Sequence, residues 1–197
     1  MTGDISLRPW IRITFLGWLL GIVLVVAIAL VGEVVGVHGS QLVVGLGMGL
    51  GVGFAQERAL RPLLGASQTW RWATTLGLAA PFLVFDVARG IGLALPYSLY
   101  IAVAVAGLTA GLAQARLLRP HGIGPLPWVL ASLAGWTCAA LTSALADSMT
   151  RWSTIRGLPG AFLYLGLVGL GGLLLGLATS VPLLKLAEGP AATPARG

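Results

Sequence analysis

Residues 45–62 read GLGMGLGVGFAQERALRP, with glycine at every second position from Gly45 to Gly53. Such a stretch could form a β-strand, a phosphate-binding loop or a helix. A membrane strand would require a closed barrel, which the neighbouring apolar runs of about 20 residues exclude. The glycines do not follow the G-x-G-x-x-G spacing, and no Walker lysine accompanies them. The stretch therefore predicts a glycine-rich helix.

The composition places this helix in a membrane. The chain has 197 residues, of which 57% are hydrophobic and 9% charged, and its mean hydropathy is +0.93. Soluble domains are about 25% charged. Six apolar runs are long enough to be candidate spans, since about 20 helical residues cross the hydrocarbon core. We expect an all-α membrane protein, one domain over 1–197, with six transmembrane helices near residues 13–37, 41–56, 70–87, 91–115, 126–146 and 158–186.

The glycines predict close helix packing. At 100° per residue, Gly45, Gly49 and Gly53 form one stripe, and Gly47 and Gly51 form another on nearly the opposite side. Small residues at this spacing let membrane helices approach each other's backbone. The stripe is shorter in two later helices, where its members are Gly107, Gly111, Gly172 and Gly176. We expect the second, fourth and sixth spans to form a packing spine, with the odd spans outside or between them.

A ten-residue segment recurs at an offset of 58 residues. GFAQERALRP (53–62) and GLAQARLLRP (111–120) are identical at seven of ten positions, and GLATSVPLLK (176–185) is a degraded third copy. Trp10, Trp70 and Trp128 are each followed by a glycine seven residues later. This period predicts three tandem helical hairpins with an approximate internal three-fold repeat. The hairpins cover about 10–62, 70–120 and 128–185. Each begins with a tryptophan that is expected at the cytoplasmic interface. Residues 187–197 are predicted to be a flexible cytoplasmic tail.

The distribution of positive charge predicts the orientation. In a six-span chain, nine of the twelve lysines and arginines fall on one side and three on the other. Positive residues accumulate in cytoplasmic loops, so both termini are expected in the cytoplasm. The expected location is the inner (plasma) membrane of the cell. The net charge of +6 then needs no nucleic-acid partner.

The polar residues near the basic side allow two interpretations. Gln56 and Gln114 are repeat equivalents, with Thr179 at the third position. Their side chains either bridge helices or line a solute path. The arginines that follow are expected to contact lipid head groups or, alternatively, to form a pocket for an anionic lipid or solute. These arginines are Arg58, Arg61, Arg116 and Arg119.

One acid lies near the outer end of each odd span: Glu33, Asp86 and Asp147. Asp86 can pair with Arg89 at i, i+3, and Asp147 with Arg151 at i, i+4. The acids either satisfy helix ends or couple protons or cations.

The sequence contains no constellation typical of catalysis. It has six acids, two histidines predicted on opposite membrane faces, one cysteine and no nucleophile motif. We therefore expect no enzyme activity, no cofactor and no metal site.

The repeated unit resembles a widespread set of uncharacterised prokaryotic polytopic membrane proteins. Their unit reads approximately Gly-Leu-x-Gln-Trp-x-x-Leu-Arg, then a loop, then Trp-Val-x-x-Ser-x-x-Gly-Trp. The chain departs from it at Glu57 and Ala115, where the family has tryptophan, and in the eroded third copy. The matching residues are Gly53, Gln56, Leu60, Arg61, Gly111, Gln114, Leu118, Arg119 and 128–136 (WVLASLAGW). The resemblance implies a polytopic membrane protein and no particular activity.

The sequence favours a non-catalytic role, as a packing or accessory membrane subunit or an oligomeric scaffold, with the bilayer, other membrane subunits or further copies as partners. The alternative is a small-solute or ion channel or transporter. Its path would follow the three-fold axis past Gln56, Gln114 and Thr179, with the three acids at the outer mouth. A membrane enzyme acting on lipid is the third class.

Overall fold

A computed structural model describes residues 7–65, 68–93, 95–152 and 157–187. The described residues form six α-helices and a short 3-10 helix, Arg119–His121, and they contain no strand. The helices are α1 Leu7–Val34, α2 Leu42–Leu64, α3 Thr69–Gly90, α4 Ser98–Leu118, α5 Pro125–Trp152 and α6 Gly157–Ala187. Residues 188–197, nearly all of the predicted tail, lie outside the described residues.

Four of these helices are long and apolar enough to cross a membrane, namely α1, α4, α5 and α6. Helices α2 and α3 do not meet the same criterion of length and hydropathy. They carry six charged residues, Glu57, Arg58, Arg61, Arg71, Asp86 and Arg89. The chain is thus an all-helical protein with several helices apolar enough to span a membrane.

The fourth helix begins later than the hydropathy predicted. The apolar run starts at residue 91, whereas α4 begins at Ser98. Gly92 and Tyr97 have positive φ angles of 86° and 57°, which end one helix and interrupt the chain before the next. Pro96 also disfavours helix in the residue before it. Hydropathy alone carries no information on these backbone angles.

The six helices form a closed ring. Each helix packs against its neighbours in sequence, and α6 packs against α1. Helices α2 and α4 touch only marginally, so the odd helices lie between the even ones rather than outside a central spine. Neighbouring helices run antiparallel. We call the end where α1, α3 and α5 begin the basic end, and the opposite end, which carries Glu33, Asp86 and Asp147, the acidic end.

The glycines of α2 lie at two helix–helix contacts. A Cβ added at Gly49 would lie 2.6 Å from the Cα of Thr75 in α3, and one at Gly45 would lie 2.7 Å from the Cα of Ala79. Gly53 faces the same helix, and a Cβ added there would lie 3.1 Å from the carbonyl oxygen of Arg71.

The second glycine stripe of α2 faces α1. A Cβ at Gly47 would lie 2.6 Å from the backbone nitrogen of Val25, and one at Gly51 would overlap the backbone of Gly21. Both neighbours therefore approach the α2 backbone more closely than any side chain permits.

The later glycines occupy similar places. In α4, added Cβ atoms at Gly107 and Gly111 would lie 2.7 Å and 2.9 Å from the Cβ atoms of Trp136 and Ser132 in α5. In α6, Gly172 and Gly176 face α1, with added Cβ atoms 2.5 Å from the Cγ of Trp18 and 3.1 Å from the Cα of Ile11. In each even helix these glycines contact the odd helix of the next hairpin, and α6 returns in this way to the first.

Each odd helix contributes one face of side chains to the interior of the ring. Residues at i, i+4, i+8 and i+12 share a helix face, and these positions are buried in α3 and α5 and buried or half-buried in α1. The sets are Trp10, Thr14, Trp18 and Ile22; Trp70, Thr74, Leu78 and Phe82; and Trp128, Ser132, Trp136 and Ala140. The core is therefore built in layers from the basic end towards the acidic end.

Candidate functional site

Three indole rings meet inside the basic end of the ring. Trp10, Trp70 and Trp128 are at most 1% exposed. The Trp128 ring centroid lies 6.2 Å from that of Trp10 and 5.6 Å from that of Trp70, both in edge-to-face geometry. Edge-to-face contact is favourable because the positive ring edge meets the negative ring face. The tryptophans, expected at an interface with a wet partner, thus lie inward and fill the middle of the ring.

Each indole N–H donates to the residue at the fourth position of a copy of the repeated segment. Trp128 Nε1 donates to Gln114 Oε1 at 3.1 Å, and Trp70 Nε1 donates to Gln56 Oε1 at 3.4 Å. Trp10 Nε1 donates to Thr179 Oγ1 at 3.0 Å. We call these six residues the polar belt. Each of its bonds joins an even helix to the odd helix that follows it, and the last joins α6 to α1.

The amide groups of the two glutamines also contact the preceding helix of the same hairpin. Gln114 Nε2 donates to Thr74 Oγ1 at 2.8 Å, and Gln56 Nε2 approaches Thr14 Oγ1 at 3.4 Å. Thr74 in turn donates to the carbonyl oxygen of Trp70 at 2.8 Å. One glutamine therefore holds three helices together: its own, the one before and the one after.

The third position of the belt differs because threonine is shorter than glutamine. Thr179 accepts from Trp10 but donates its own hydrogen to the carbonyl oxygen of Leu175 at 2.7 Å, within α6. Ser132, which stands where α3 has Thr74, donates to the carbonyl oxygen of Gly107 at 2.8 Å. The hairpin of α5 and α6 therefore lacks the internal amide bond seen in the other two.

The belt residues are isolated from solvent. Gln56, Gln114 and Thr179 are 2–3% exposed, and Thr14 and Thr74 are fully buried. Among the described residues, the one buried side-chain polar atom without a partner is Gln41 Oε1, far from the belt at the acidic end. Buried polar groups cost free energy unless they are hydrogen-bonded, and those of the belt are.

A buried ion pair flanks the belt in the first copy of the segment. Glu57, which is 3% exposed, accepts from Arg71 Nε at 3.0 Å and from Arg71 Nη2 at 3.2 Å. In the sequence, Glu57 differs from the tryptophan of the similar repeated unit, and that unit does not indicate its partner. The repeat-equivalent positions hold the buried apolar residues Ala115 and Val129. At the offset of 58 residues, the charged residues Glu57 and Arg71 are thus both replaced by apolar ones. This joint replacement is the signal in the sequence that could have indicated the ion pair.

The arginines of the segment lie on the outside. Arg58, Arg61, Arg116 and Arg119 are exposed. The Arg58 guanidinium lies 4.5 Å from the centroid of the Phe54 ring, and Arg61 Nη2 is 4.0 Å from Glu57 Oε1. The contact of these guanidinium groups with lipid head groups stays a prediction.

At the acidic end, Asp86 of α3 holds the beginning of α2. Its carboxylate accepts hydrogen bonds from Ser40 Oγ at 2.6 Å and from the backbone N–H groups of Gln41 and Leu42 at 3.0 Å and 2.8 Å. The pair with Arg89 is formed at 3.0 Å. A carboxylate at the first turn of a helix satisfies free N–H groups and complements the helix dipole.

The other two acids have separate partners. Glu33 Oε2 lies 2.7 Å from His38 Nδ1, where both side chains are exposed. Asp147 accepts from Tyr100 Oη in α4 at 2.7 Å and from Tyr164 Oη in α6 at 3.3 Å. The side chain of Arg151, its predicted partner, lies outside the described residues. The three acids thus bind different residues at different corners of the acidic end.

Among the described residues, no three histidine, cysteine or carboxylate side chains come close enough to share a metal ion. The structure instead brings the three predicted residues Gln56, Gln114 and Thr179 into contact with three tryptophans. One signal in the sequence could have indicated this pairing. Each glutamine precedes its tryptophan by 14 residues, once from Gln56 to Trp70 and once from Gln114 to Trp128.

Comparison of the chain with protein families, curated proteins and solved structures finds no match. Its fold and side chains define an all-helical protein with four helices long and apolar enough to span a membrane and with a closed, internally hydrogen-bonded core at the basic end.

Proposed function

We propose that this protein is a non-catalytic integral membrane protein whose role is structural, as a packing or accessory subunit or as an oligomeric scaffold. The polar belt is the observation that supports this role. Its amides and hydroxyls are engaged between helices, and three indoles fill the space a solute would need. Interhelical hydrogen bonds of this kind stabilise membrane bundles by about 0.6 kcal/mol on average, and by up to about 1–2 kcal/mol.

The proposal includes six spans in three hairpins with an approximate three-fold repeat. Helices α2 and α3 have 23 and 22 residues, which at 1.5 Å per residue is about 33–35 Å and sufficient for a hydrocarbon core of about 30 Å. They also run antiparallel beside helices that meet the span criterion. The recurrence of the belt bonds at equivalent positions supports the repeat.

The proposal places the basic end in the cytoplasm, with both termini there, in the inner (plasma) membrane of a cell. Exposed arginines at this end support the orientation, because positive residues are retained on the cytoplasmic side. They are Arg8, Arg12, Arg58, Arg61, Arg116 and Arg119.

Partners in the bilayer remain part of the proposal. The ring exposes large apolar side chains on α1, α3, α4, α5 and α6, which suits lipid and also other membrane helices. Purification in mild detergent, followed by mass measurement of the intact particle, tests this. A scaffold is expected to retain further copies or other subunits, whereas a single copy with lipid alone would argue against assembly.

The role as a channel or transporter is tested by flux. Liposomes that contain the protein are loaded with a mixture of small ions and polar solutes, and their leakage is compared with that of empty liposomes. We expect leakage at the background of empty liposomes for the native protein, for Gln56→Leu and for Gln114→Leu. Leakage above background in the native protein that disappears in both variants would replace the structural role with the transport role.

A further inference from the structure

The acidic half of the ring contains an apolar, partly open cavity of about 250 Å³. All six helices contribute to its lining, and its inner boundary is formed by Trp18, Leu78 and Trp136, the layer above the polar belt. Side chains from the other end, among them Val26, Leu99 and Tyr164, complete it. The cavity is therefore separated from the basic end by the belt and its tryptophans.

Small residues on α5 create this space. At the equivalent positions α3 carries Phe82 and Phe85, whereas α5 carries Ala140 and Ser143, both of which line the cavity. A second aromatic pair, on α5, would occupy part of this volume. The cavity is larger than the roughly 150 Å³ that accommodates a benzene in a protein core and smaller than the roughly 300–1,000 Å³ of drug-binding pockets. Its size suits a segment of one hydrocarbon chain.

The cavity opens sideways between α1 and α6. Its two exposed lining residues are Val26 on α1 and Tyr164 on α6. The α6 face that meets α1 at Gly176 and Gly172 continues towards the acidic end through Leu165 and Phe162, which are 60% and 72% exposed. These exposures indicate that α1 does not cover α6 at Leu165 and Phe162. The outer surface around the opening is apolar, so the bilayer is the medium that it meets.

The polar groups of the lining lie towards one edge. Tyr100 and Tyr164 both donate to Asp147, at the acidic end. The other polar groups are internally bonded: Trp18 Nε1 donates to the carbonyl oxygen of Val168, and Ser143 Oγ to that of Ala139. A ligand with a polar head at the acidic end and an apolar tail inside matches this distribution.

We propose that this cavity binds one acyl chain of a membrane phospholipid, which enters between α1 and α6 with its head group at the acidic end. The site goes beyond the structural role proposed above and does not depend on it, because a chain can occupy the cavity whether or not the ring conducts solutes or binds partners.

Bromine on the lipid chains tests the proposal, since it quenches tryptophan fluorescence at contact. Trp18 and Trp136 line the cavity and are each 5% exposed. The protein carries Trp72→Phe to remove a half-exposed tryptophan and is reconstituted in phosphatidylcholine with acyl chains brominated at mid-chain. We expect Trp18→Phe to lower the quenched fraction, and an unchanged fraction would contradict the proposal.

Filling variants supply the second arm. Ala140→Phe places the side chain of Phe82 at its equivalent position, and Leu141→Phe, at a lipid-exposed neighbour, is the matched control. We expect Ala140→Phe to reduce the quenched fraction by up to a third, because Trp18 and Trp136 are two of the six remaining tryptophans. Leu141→Phe should leave the quenched fraction unchanged. Ser143→Phe with Leu145→Phe repeats the comparison where Ala140→Phe does not fold.

Equal quenching in the folded filling variants and their controls would overturn the proposal. A brominated free fatty acid in unbrominated phosphatidylcholine distinguishes the source of the chain. Quenching of Trp18 by the fatty acid alone, with none from the brominated phospholipid, would contradict the assignment to phospholipid.

Discussion

Trp10 and Thr179 are 169 residues apart in sequence, yet the indole N–H of Trp10 donates to Thr179 Oγ1 at 3.0 Å. This bond joins the last helix to the first at the same level where Gln56 and Gln114 bind Trp70 and Trp128. It completes the polar belt. Replacing Thr179 by valine keeps the shape of the side chain and removes the acceptor.

We expect Thr179→Val to lower the free energy of unfolding by about 1–2 kcal/mol, because the buried Trp10 N–H loses its partner. Unfolding in mixed micelles measures the change. Trp10→Phe and the double variant complete a thermodynamic cycle, in which the second substitution should cost less in the presence of the first. Strict additivity of the two costs would contradict the bond.

The second prediction concerns the two glutamines. Gln114→Leu removes bonds of 2.8 Å and 3.1 Å, whereas Gln56→Leu removes two of 3.4 Å. We expect a loss of stability of about 1–3 kcal/mol for Gln114→Leu and a smaller loss for Gln56→Leu, since weaker bonds are removed. Gln68→Leu, at an exposed residue without a side-chain cap bond, is the control and should leave stability unchanged. The reverse order of the two losses would contradict this geometry.

The third prediction concerns the glycine contacts. Gly49→Ala places a methyl group 2.6 Å from the Cα of Thr75, so α2 and α3 must separate. Gly166→Ala adds the same group in α6 with nothing within 4 Å. Alanine is favoured over glycine in a helix by roughly 0.5–1 kcal/mol, so Gly166→Ala should stabilise the protein and Gly49→Ala should destabilise it. Thermal unfolding in one detergent compares the pair, and a stabilising Gly49→Ala would disprove the close approach.

The fourth prediction concerns the ion pair of Glu57 with Arg71. Glu57→Ala leaves a largely buried guanidinium without its partner and should cost about 3–5 kcal/mol, the range for breaking a buried pair. The double variant Glu57→Ala with Arg71→Val copies Ala115 and Val129, which lie between the second and third hairpins, and should recover most of this loss. Urea unfolding of the single and double variants measures the recovery. A double variant as unstable as the single one would mean that the junction of the first and second hairpins does not pack like that of the second and third at this level.

The sequence was sufficient for the helical class and for the glycine-rich segment, because both depend on local composition and periodicity. The positions of Gly45 and Gly47 on opposite sides of α2 follow from 100° per residue alone. The inward orientation of Trp10, Trp70 and Trp128 did not follow from the sequence. An indole, which is apolar with one polar N–H, suits a membrane interface as well as a buried site that offers a hydrogen-bond acceptor. The ring closure from α6 to α1 depends on packing between the chain's two ends, which no local pattern encodes. The start of α4 at Ser98 depends on the backbone angles of Gly92 and Tyr97.

We interpret the polar belt as a dry, hydrogen-bonded closure of the ring. Thiol labelling distinguishes such a closure from a water-filled path. Single cysteines at 56, 114 and 179, in a Cys138→Ser background, are exposed in sealed vesicles to a membrane-impermeant maleimide from each side in turn, with Arg58→Cys as the exposed control.

We expect the three belt cysteines to stay unlabelled from both sides while Arg58→Cys reacts from one side. Rapid labelling of all three belt cysteines in the folded protein would show a water-filled path along the axis and would contradict a dry belt.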